Sequence, residues 1–418
     1  MVLTPRISII IPTYNRSRLL ARALRAFHTE SLAADRFEII VSDDGSSDGT
    51  ETLVRSFEAD YQIKYHYQED KGFRAAAARN AGAGLAGGDV LAFLDAGALP
   101  GPRFAASHLS AHTMLPNSHS AVIGPTYGYE VNACDIRPYA ESVRTLSAEQ
   151  IYRSIPRDTD PRYATFAGVG FDLRRLPLPP LLFWAGNCSV RTEDFWNAGG
   201  FDESFREWGL EDVDLAYRLW DHGTAFTLCQ EGWAIELPQP RDKDANMRSV
   251  VRNIERFLQG CNPMTPAKEI LAMLVSVSLD LFYDIQGHYR ALIDWEIQAK
   301  GINVLQEVQS FCRASAPGMR LAILGVGSSI PESWKNVVLF DFDRQFSQTP
   351  RVPGCGVHHR IGLRTGLPDN SIDSLLITSR MRGIWGRLGD PIMIEAKRVA
   401  NDVRLAWNVP KMAAVRTR

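Results

Sequence analysis

Short apolar runs separated by helical patterns mark the first hundred residues of the chain. Ile7–Ile11, Phe37–Val41 and Val90–Leu94 are dominated by β-branched and large apolar residues, as is typical of strands buried on both faces of a parallel sheet. Between them, Ser17–Phe27 places apolar side chains on one helical face and arginines on the other, and Ala75–Leu85 also has a helical pattern. Strands that alternate with helices predict an α/β fold with a parallel sheet.

The rest of the chain divides by the same patterns. Residues from about 100 to 180 have weak periodicity and predict loops and short elements, whereas Asn187–Val190 predicts a strand and Asp212–His222 a helix. A helical pattern follows, and then strands return at Leu321–Leu324 and Val337–Phe340. We therefore predict a first domain over residues 1–260, a helical linker over 261–316 and a small α/β domain over 317–418.

Composition and charge narrow the classes of partner. The formal net charge is −2, so bulk charge does not favour nucleic acid or an anionic membrane surface. Six cysteines without a C-x-x-C pair argue against a zinc site and a disulfide framework. Met1–Asn15 lacks the pattern of a signal peptide, and Ile270–Ile285 is too short and polar to span a bilayer. We expect a cytoplasmic protein without stable membrane insertion; the oligomeric state stays open.

Carboxylates follow two of the predicted strands. Asp43 and Asp44 end the second strand and Asp95 ends the third, and ligands of parallel α/β sheets bind at these carboxyl ends. Asp43 or Asp44 could accept hydrogen bonds from a nucleotide base or ribose, and Asp95 could hold a ribose or a metal ion. Arg16 and Arg74 are candidates for binding a diphosphate. An isolated strand-end Asp is more often a turn former, so the joint placement carries the prediction.

An ordered set of motifs gives these positions a family. Ile9–Arg16, Val41–Asp48, Asp70–Arg74, Ala78–Gly82 and Phe93–Asp95 together resemble the family-2 glycosyltransferases with the GT-A fold, a Rossmann-like mixed α/β sheet. The resemblance implies a nucleotide-diphosphate sugar as donor, a nucleotide-binding half over residues 1–100 and an acceptor half over 101–260. The positions that the family places around the nucleotide are Pro12, Thr13, Tyr14, Asp43, Phe73, Arg74 and Asn80.

The acceptor half contains the second group of motifs. Trp184–Asn187, Phe201–Glu203 and Trp208–Asp214 resemble chondroitin-polymerase-type enzymes and β-1,4-galactosyltransferases. The resemblance implies inverting transfer, with Asp212 as the base that takes the proton from the acceptor hydroxyl. The residues expected to bind the acceptor are Trp208, which offers a face for sugar stacking, Gly209, Glu211 and Asn187. The competing interpretation is that the acidic residues only stabilise a helix N-terminus through its dipole.

The expected metal site departs from the family pattern. The usual motif is Asp-x-Asp, but here Asp95 is followed by Ala96 and Gly97, and Glu236 stands where the family has a metal-binding His. Asp95 and Glu236 could still hold Mn²⁺ or Mg²⁺, because both ions accept carboxylate oxygen. Alternatively, the cationic side chains of Arg74 and Arg241 could balance the diphosphate charge. Both hypotheses stay open at this point.

The C-terminal domain resembles a truncated S-adenosylmethionine methyltransferase through Gly325-Val326-Gly327 and Asp341. A lone G-x-G is a weak signal and the domain is short, so a structural role is favoured. The sequence thus predicts an inverting hexosyltransferase that acts on a small molecule or short glycan. Two alternatives are a carbohydrate- or nucleotide-binding module without catalysis, and a bifunctional glycosyltransferase and methyltransferase.

Overall fold

The protein consists of two compact units, Met1–Phe257 and Leu258–Arg418. The structure is a computed structural model that describes residues 6–114, 119–128, 145–239, 242–260, 264–275, 281–327, 336–343, 345 and 355–408. Among these residues no helix is both long and apolar enough to cross a membrane. Each unit is built around its own sheet.

A seven-stranded sheet and a three-stranded sheet support the first unit. The strands are β1 (Ile7–Thr13), β2 (Phe37–Asp43), β3 (Gln62–Tyr67), β4 (Val90–Leu94), β5 (Ala98–Pro100), β6 (Ser120–Ile123), β7 (Thr126–Tyr127), β8 (Asn187–Arg191), β9 (Ala225–Leu228) and β10 (Ala234–Glu236). The strand order in the larger sheet is β3-β2-β1-β4-β8-β6-β9. β1 to β4 run parallel, whereas β8 is antiparallel to both β4 and β6, so the sheet is mixed but mainly parallel.

Helices cover this sheet and explain its continuous apolar strands. They are α1 (Ser17–Ala26), α2 (Thr50–Arg55), α3 (Ala75–Gly84), α4 (Phe104–Thr113), α5 (Ala148–Ser154), α6 (Tyr163–Gly168), α7 (Thr192–Asn197), α8 (Glu211–Asp221) and α9 (Lys243–Gln259). Leu20 and Leu24 of α1 share a buried cluster with Ile9 and Ile39 of the sheet. Burial of large aliphatic side chains such as these stabilises the unit by about 1.5–3 kcal/mol each.

The three-stranded sheet brings a distant segment to the end of β4. Its order is β5-β10-β7, and Glu236 of β10 lies opposite Ala98 of β5. The Leu237 N–H also donates to the carbonyl oxygen of Gly97. These backbone contacts place Glu236 beside the segment that follows Asp95.

The second unit contains a five-stranded parallel sheet. Its strands are β11 (Leu321–Leu324), β12 (Val337–Asp341), β13 (Cys355–His359), β14 (Ile372–Ile377) and β15 (Ala400–Leu405), in the order β13-β12-β11-β14-β15. Its helices are α10 (Pro266–Leu271), α11 (Leu281–Ala299), α12 (Leu305–Ala314) and α13 (Trp385–Val399). Val308 and Phe311 of α12 pack in one buried cluster with Leu321 and Ile323. Part of the predicted linker is therefore core of the second unit.

Candidate active site

The carboxyl ends of β1, β2 and β4 meet at one edge of the large sheet. Thr13 pairs with Asp43 in the parallel register, and the Asp44 N–H donates to the Thr13 carbonyl oxygen at 2.9 Å. Pro12 and Thr13 form the end of β1, and Asp95 follows β4 directly. The strand-end residues expected from the sequence are thus neighbours in the fold.

Asp43 lies below the surface of this edge. Its carboxylate is fully buried and accepts hydrogen bonds from the Gly45 N–H at 3.1 Å, the Ser46 N–H at 2.7 Å and the Tyr65 hydroxyl at 2.8 Å. Two of these donors belong to the loop after β2 and the third to β3. Gly45 turns the loop with a φ of +96°. In this structure Asp43 shapes the loop after β2 and does not face an open site.

Asp44 and Arg74 form a closely bonded pair above that loop. The Arg74 backbone N–H donates to Asp44 Oδ2 at 2.7 Å, and Arg74 Nη2 lies 3.3 Å from Asp44 Oδ1. The Gln68 side-chain amide also donates to Asp44 at 2.6 Å. The Arg74 guanidinium further donates to the Glu69 carbonyl oxygen. The two residues expected at the nucleotide are therefore held together at the edge of the sheet.

Exposed aromatic side chains flank this pair. Tyr14 is 47% exposed and Phe73 is 44% exposed. The Tyr14 hydroxyl donates to Asp70 at 2.9 Å, and this bond to a carboxylate raises the pKa of Tyr14 above its ordinary value. Two exposed ring faces beside a strand-end carboxylate suit a flat nucleobase.

Asn80 is bonded to a loop of the acceptor half. Its amide nitrogen donates to the Phe201 carbonyl oxygen at 2.8 Å and to Glu203 at 3.0 Å, and its oxygen accepts from the Phe201 N–H at 2.9 Å. This arrangement ties α3 to the segment that carries Phe201 and Glu203. Asn80 therefore joins the two halves of the first unit.

Arg79 is a site residue that the sequence reasoning missed. Its guanidinium is buried and donates to Glu211 at 2.9 Å and to Asp95 at 3.0 Å. Burial alone lowers the pKa of Arg79, but the negative charges of Asp95 and Glu211 outweigh it and raise the pKa. Arg79 thus links the expected donor carboxylate with the expected acceptor carboxylate. The available signal was a lone arginine in the alanine-rich helix Ala75–Gly84.

Asp212 lies half-buried in the first turn of α8. The Ala185 N–H donates to its Oδ2 at 3.1 Å and the Val213 N–H to its Oδ1 at 2.8 Å, so both carboxylate oxygens have fixed directions. Burial and the charge of Glu211 raise the pKa of Asp212 to about 7, against the opposing effects of the Ala185 N–H and Arg79. A carboxylate with a pKa near neutrality can both accept and release a proton near pH 7.

A left-handed turn precedes Asp212. Gly209 has a φ of +96° and Leu210 a φ of +74°. Residues other than glycine rarely adopt this left-handed backbone conformation. Trp208, at the start of this turn, is 41% exposed, while Glu211 at its end is buried. In the described part of the chain, the Glu211 Oε2 atom is buried without a hydrogen-bond partner. The turn therefore brings an open aromatic face next to an unsatisfied carboxylate oxygen.

Asn187 lies elsewhere than expected for an acceptor-binding residue. It is fully buried in β8, and its amide donates to the carbonyl oxygens of Pro125 at 2.8 Å and Gly232 at 2.9 Å. Its oxygen pairs with His108 Nε2 at 2.9 Å. The alternation of side chains along the strand directs Asn187 into the interior, where it fixes the surrounding loops.

Gln239 occupies the space beside the shortened metal motif. A Cβ atom added at Gly97 would lie 2.9 Å from Gln239 Nε2, so the amide fills the place of the missing second aspartate. Gln239 donates to Glu236, and the Arg16 guanidinium donates to Gln239. The described residues contain no group of three or more His, Cys, Asp or Glu side chains around a common metal position. Arg241 lies outside the described residues.

Asp95 and Glu236 are both carboxylates, the kind of hard oxygen ligand that a small divalent cation accepts. Mg²⁺ commonly binds through one or two carboxylates, with substrate phosphates and water completing its shell. Asp95 has a side chain that is 43% exposed, and Glu236 is brought to the same segment by β10. Asp95 and Glu236 are therefore the residues that could hold a metal bound together with a diphosphate.

Comparisons with known proteins identify the class of this site. Residues 8–168 match the family model described as "Glycosyl transferase family 2", and residues 168–238 match that described as "N-terminal domain of galactosyltransferase". The two matches meet at residue 168, within the segment expected to form the acceptor half, and together they span residues 8–238 of the first unit. Both matched models describe glycosyltransferase sequences.

Relatives extend the match over the whole chain. The chain is 38% identical over 415 residues to validoxylamine A glucosyltransferase of Streptomyces hygroscopicus subsp. limoneus, covering 96% of this chain and 90% of that protein. It is 37% identical to the protein of the same name from Streptomyces hygroscopicus subsp. jinggangensis, covering 96% of both. Identity to chondroitin synthase of Escherichia coli is 30% over 263 residues, covering 59% of this chain and 37% of that protein. The chain belongs to the family-2 glycosyltransferases.

Family membership settles three predictions made from the sequence. The family resemblance, the enzymatic class and the GT-A type α/β fold are confirmed. The hypothesis of a binding module outside the enzymes loses its support.

Proposed function

We propose that the protein transfers a hexosyl group from a nucleotide-diphosphate sugar to a hydroxyl group of a small-molecule acceptor, with inversion at the anomeric carbon. The observation that carries the proposal is Asp212, a half-buried carboxylate with a pKa of about 7 and two backbone N–H contacts that fix its orientation. The Asp212 carboxylate accepts the acceptor's hydroxyl proton as that oxygen bonds to the anomeric carbon. The bond from this carbon to the diphosphate oxygen breaks, and the diphosphate leaves with the electron pair.

The acceptor would bind over the turn that precedes α8. Trp208 offers an exposed ring face for a sugar or cyclitol ring, and the buried Glu211 Oε2 offers an acceptor for one of its hydroxyl groups. The relatives that match nearly the whole chain are named for transfer of glucose to validoxylamine A. We therefore propose a glucosyl group as the transferred sugar, and validoxylamine A or a compound of the same class as the acceptor.

The donor would bind along the edge formed by β1, β2 and β4. Tyr14 and Phe73 supply exposed rings for the base, and Asp44 supplies carboxylate oxygens for the base or ribose. The guanidinium group of Arg16, which donates to Gln239, and that of Arg74, which is paired with Asp44, would attract the diphosphate. In this proposal Asp43 does not contact the donor and instead stabilises the loop after β2 through its hydrogen bonds to Gly45 and Ser46.

The direct test combines the wild-type protein with an Asp212→Asn variant. Incubation with UDP-glucose or GDP-glucose and validoxylamine A should yield a glucoside whose anomeric configuration, measured by proton NMR, is opposite to that of the donor. The variant keeps the side-chain shape and loses the basicity, so transfer should fall by about 100-fold or more. Its affinity for UDP or GDP, measured by calorimetry, should stay close to that of the wild type.

Asp221→Asn is the matched control, because it makes the same change at the exposed far end of α8. This variant should transfer glucose at the wild-type rate. Retention of configuration, or an Asp212→Asn variant within a few-fold of the wild-type rate, would overturn the assignment of the base.

A divalent metal held by Asp95 and Glu236 is part of the proposal. When bound, Mn²⁺ or Mg²⁺ would neutralise charge on the diphosphate. Calorimetric affinity for UDP or GDP should be higher with Mn²⁺ than with EDTA, and Glu236→Ala should abolish this difference. Glu231→Ala, an exposed position on the same segment, should preserve it. Equal affinities with Mn²⁺ and EDTA in the wild type would contradict the metal site.

A further inference from the structure

A single buried amide holds the turn that leads into the catalytic helix. We call residues 207–210 the acceptor turn. The Asn253 side-chain nitrogen lies 3.2 Å from the Glu207 carbonyl oxygen, 3.3 Å from that of Trp208 and 2.8 Å from that of Gly209. Asn253 is fully buried. Three consecutive carbonyl oxygens therefore converge on one donor group.

The acceptor turn needs such support because of its backbone conformation. Leu210 adopts a φ of +74° with a ψ of −9°, and it immediately precedes Glu211 and Asp212. A left-handed conformation at a residue with a branched side chain persists only where surrounding contacts enforce it. The bonds from Asn253 fix the carbonyl groups directly before this residue.

Other side chains of α9 contact the acceptor turn and the residues just before it. Arg252 Nε donates to Glu207 at 2.7 Å, and the Arg256 guanidinium donates to the Ser204 carbonyl oxygen. A Cβ atom at Gly209 would lie 3.0 Å from Val250 Cγ2. Arg252, Asn253 and Arg256 fall on one face of the helix, because Arg256 follows the other two by four and three residues. One face of α9 therefore contacts the acceptor turn at several of its residues.

All three of these contacts are made by the amide nitrogen of Asn253, which is a hydrogen-bond donor. Its Oδ1 atom is buried without a hydrogen-bond partner in the described part of the chain. An aspartate would have the same shape but would turn carboxylate oxygen toward the three carbonyl oxygens. Position 253 therefore favours asparagine over aspartate, although the two side chains have nearly the same size.

We propose that Asn253 is a positioning residue for glycosyl transfer, acting through the acceptor turn on Trp208, Glu211 and Asp212. The inference rests on the proposed function of Asp212 as the base. Displacement of a base or an acceptor site by about 1 Å can slow transfer by about 100-fold. The proposed nucleotide edge lies on β1, β2 and β4, away from the acceptor turn in the chain, so the effect should fall on acceptor binding and on the rate of transfer.

The test compares Asn253→Asp with Asn246→Asp, which makes the same chemical change elsewhere on α9. With UDP-glucose or GDP-glucose and validoxylamine A, Asn253→Asp should lower kcat at least about 10-fold and raise the KM for validoxylamine A. Its calorimetric affinity for UDP or GDP should remain within about two-fold of the wild type, because this measurement reports only nucleotide binding. Hydrogen exchange at the amides of residues 210–213 should become faster, whereas Asn246→Asp should match the wild type throughout.

Two results would overturn the inference. One is wild-type kinetics and wild-type hydrogen exchange in Asn253→Asp. The other is a parallel loss of acceptor turnover, nucleotide affinity and melting temperature, which would make the residue merely structural. If Asn253→Asp does not fold, Asn253→Ser keeps one hydroxyl donor and should show a smaller loss of kcat with unchanged nucleotide affinity. Hydrogen exchange tests the contact even if no donor and acceptor pair is turned over, which would count against the proposed function alone.

Discussion

At the scale of single residues, the chemistry of the site depends on two adjacent carboxylates in unequal surroundings. Arg79 lies 2.9 Å from Glu211, whereas Asp212 accepts only backbone N–H groups in its closest contacts. Burial and the charge of Glu211 raise the pKa of Asp212 to about 7. Neighbouring carboxylates in different environments can thus serve as acceptor ligand and base.

The pH dependence of transfer follows from this pKa. The base must be ionised, so kcat should fall as pH decreases through about 7. Glu211→Gln removes the neighbouring negative charge that favours the protonated form of Asp212, so the midpoint should move to lower pH. A pH–rate profile of both proteins measures this shift. A midpoint that stays in place, or that moves upward, would contradict the coupling between the two carboxylates.

Sequence reasoning can name candidate residues where the chemistry depends on chain order, but it cannot give the direction of a side chain. Glu211 and Asp212 are adjacent and follow a recognisable aromatic-glycine turn, so they could be found without a structure. Asn187 belongs to an equally recognisable motif, but its place on the inner side of β8 is set by strand register. Arg79 becomes meaningful only when folding brings Asp95 and Glu211 within 3.0 Å of it.

At the scale of elements, the acceptor turn couples α8 to α9 through a glycine. Gly209 has a φ of +96° and approaches Val250, whereas Gly223 after α8 has a φ of +87° with no atom within 4 Å of an added Cβ. Alanine at either position should cost about 1–2 kcal/mol of stability because of the left-handed backbone. Gly209→Ala should in addition displace the turn and lower kcat/KM for the acceptor.

Gly223→Ala is therefore the matched control for Gly209→Ala. Thermal unfolding should show that both variants lose stability because of the left-handed backbone. Gly209→Ala should lose more, because its added Cβ atom also meets Val250. The acceptor kcat/KM should fall only in Gly209→Ala. Equal kinetics in both variants would show that the turn tolerates displacement.

The elements that sequence patterns predicted best are those with covered faces. The parallel strands β1, β2 and β4 have continuous apolar runs because helices cover both sides of the sheet. α5 and α6 fall in the region of weak periodicity that predicted loops. Each has only six or seven residues, and a helix of this length depends on tertiary contacts more than on its own pattern.

At the scale of the whole molecule, the second unit distinguishes two groups of relatives. The two validoxylamine A glucosyltransferases align with 96% of the chain, whereas the chondroitin synthase of Escherichia coli aligns with 59%. The alignments to the two validoxylamine A glucosyltransferases are thus long enough to include the second unit, whereas the alignment to the chondroitin synthase spans 263 residues. The strand order of this unit resembles nucleotide-binding sheets, which raises the question of a second cofactor.

Among the described residues, side chains of the protein itself already occupy the carboxyl end of β12. Asp341 is the last residue of β12, at the position where such sheets often hold a ribose, but its carboxylate accepts from the Gly327 N–H at 2.7 Å and from Arg380 Nε at 3.1 Å. Arg380 is buried and also donates to Asp343 at 3.1 Å. A ribose would have to displace this buried ion pair, and removing a partner from such a pair typically costs about 3–5 kcal/mol.

We therefore predict that the full-length protein does not bind S-adenosylmethionine or NAD⁺ at micromolar concentrations, because Arg380 neutralises and covers the carboxylate that a ribose would need. Calorimetric titration with each cofactor should give only the heat of dilution. Arg380→Met should lower the thermal stability of the protein by leaving Asp341 and Asp343 unpaired, and it should not create cofactor binding. Saturable binding of S-adenosylmethionine by the wild-type protein would contradict this and would revive the bifunctional hypothesis. Loss of that binding in an Asp341→Asn variant would then locate the cofactor at β12.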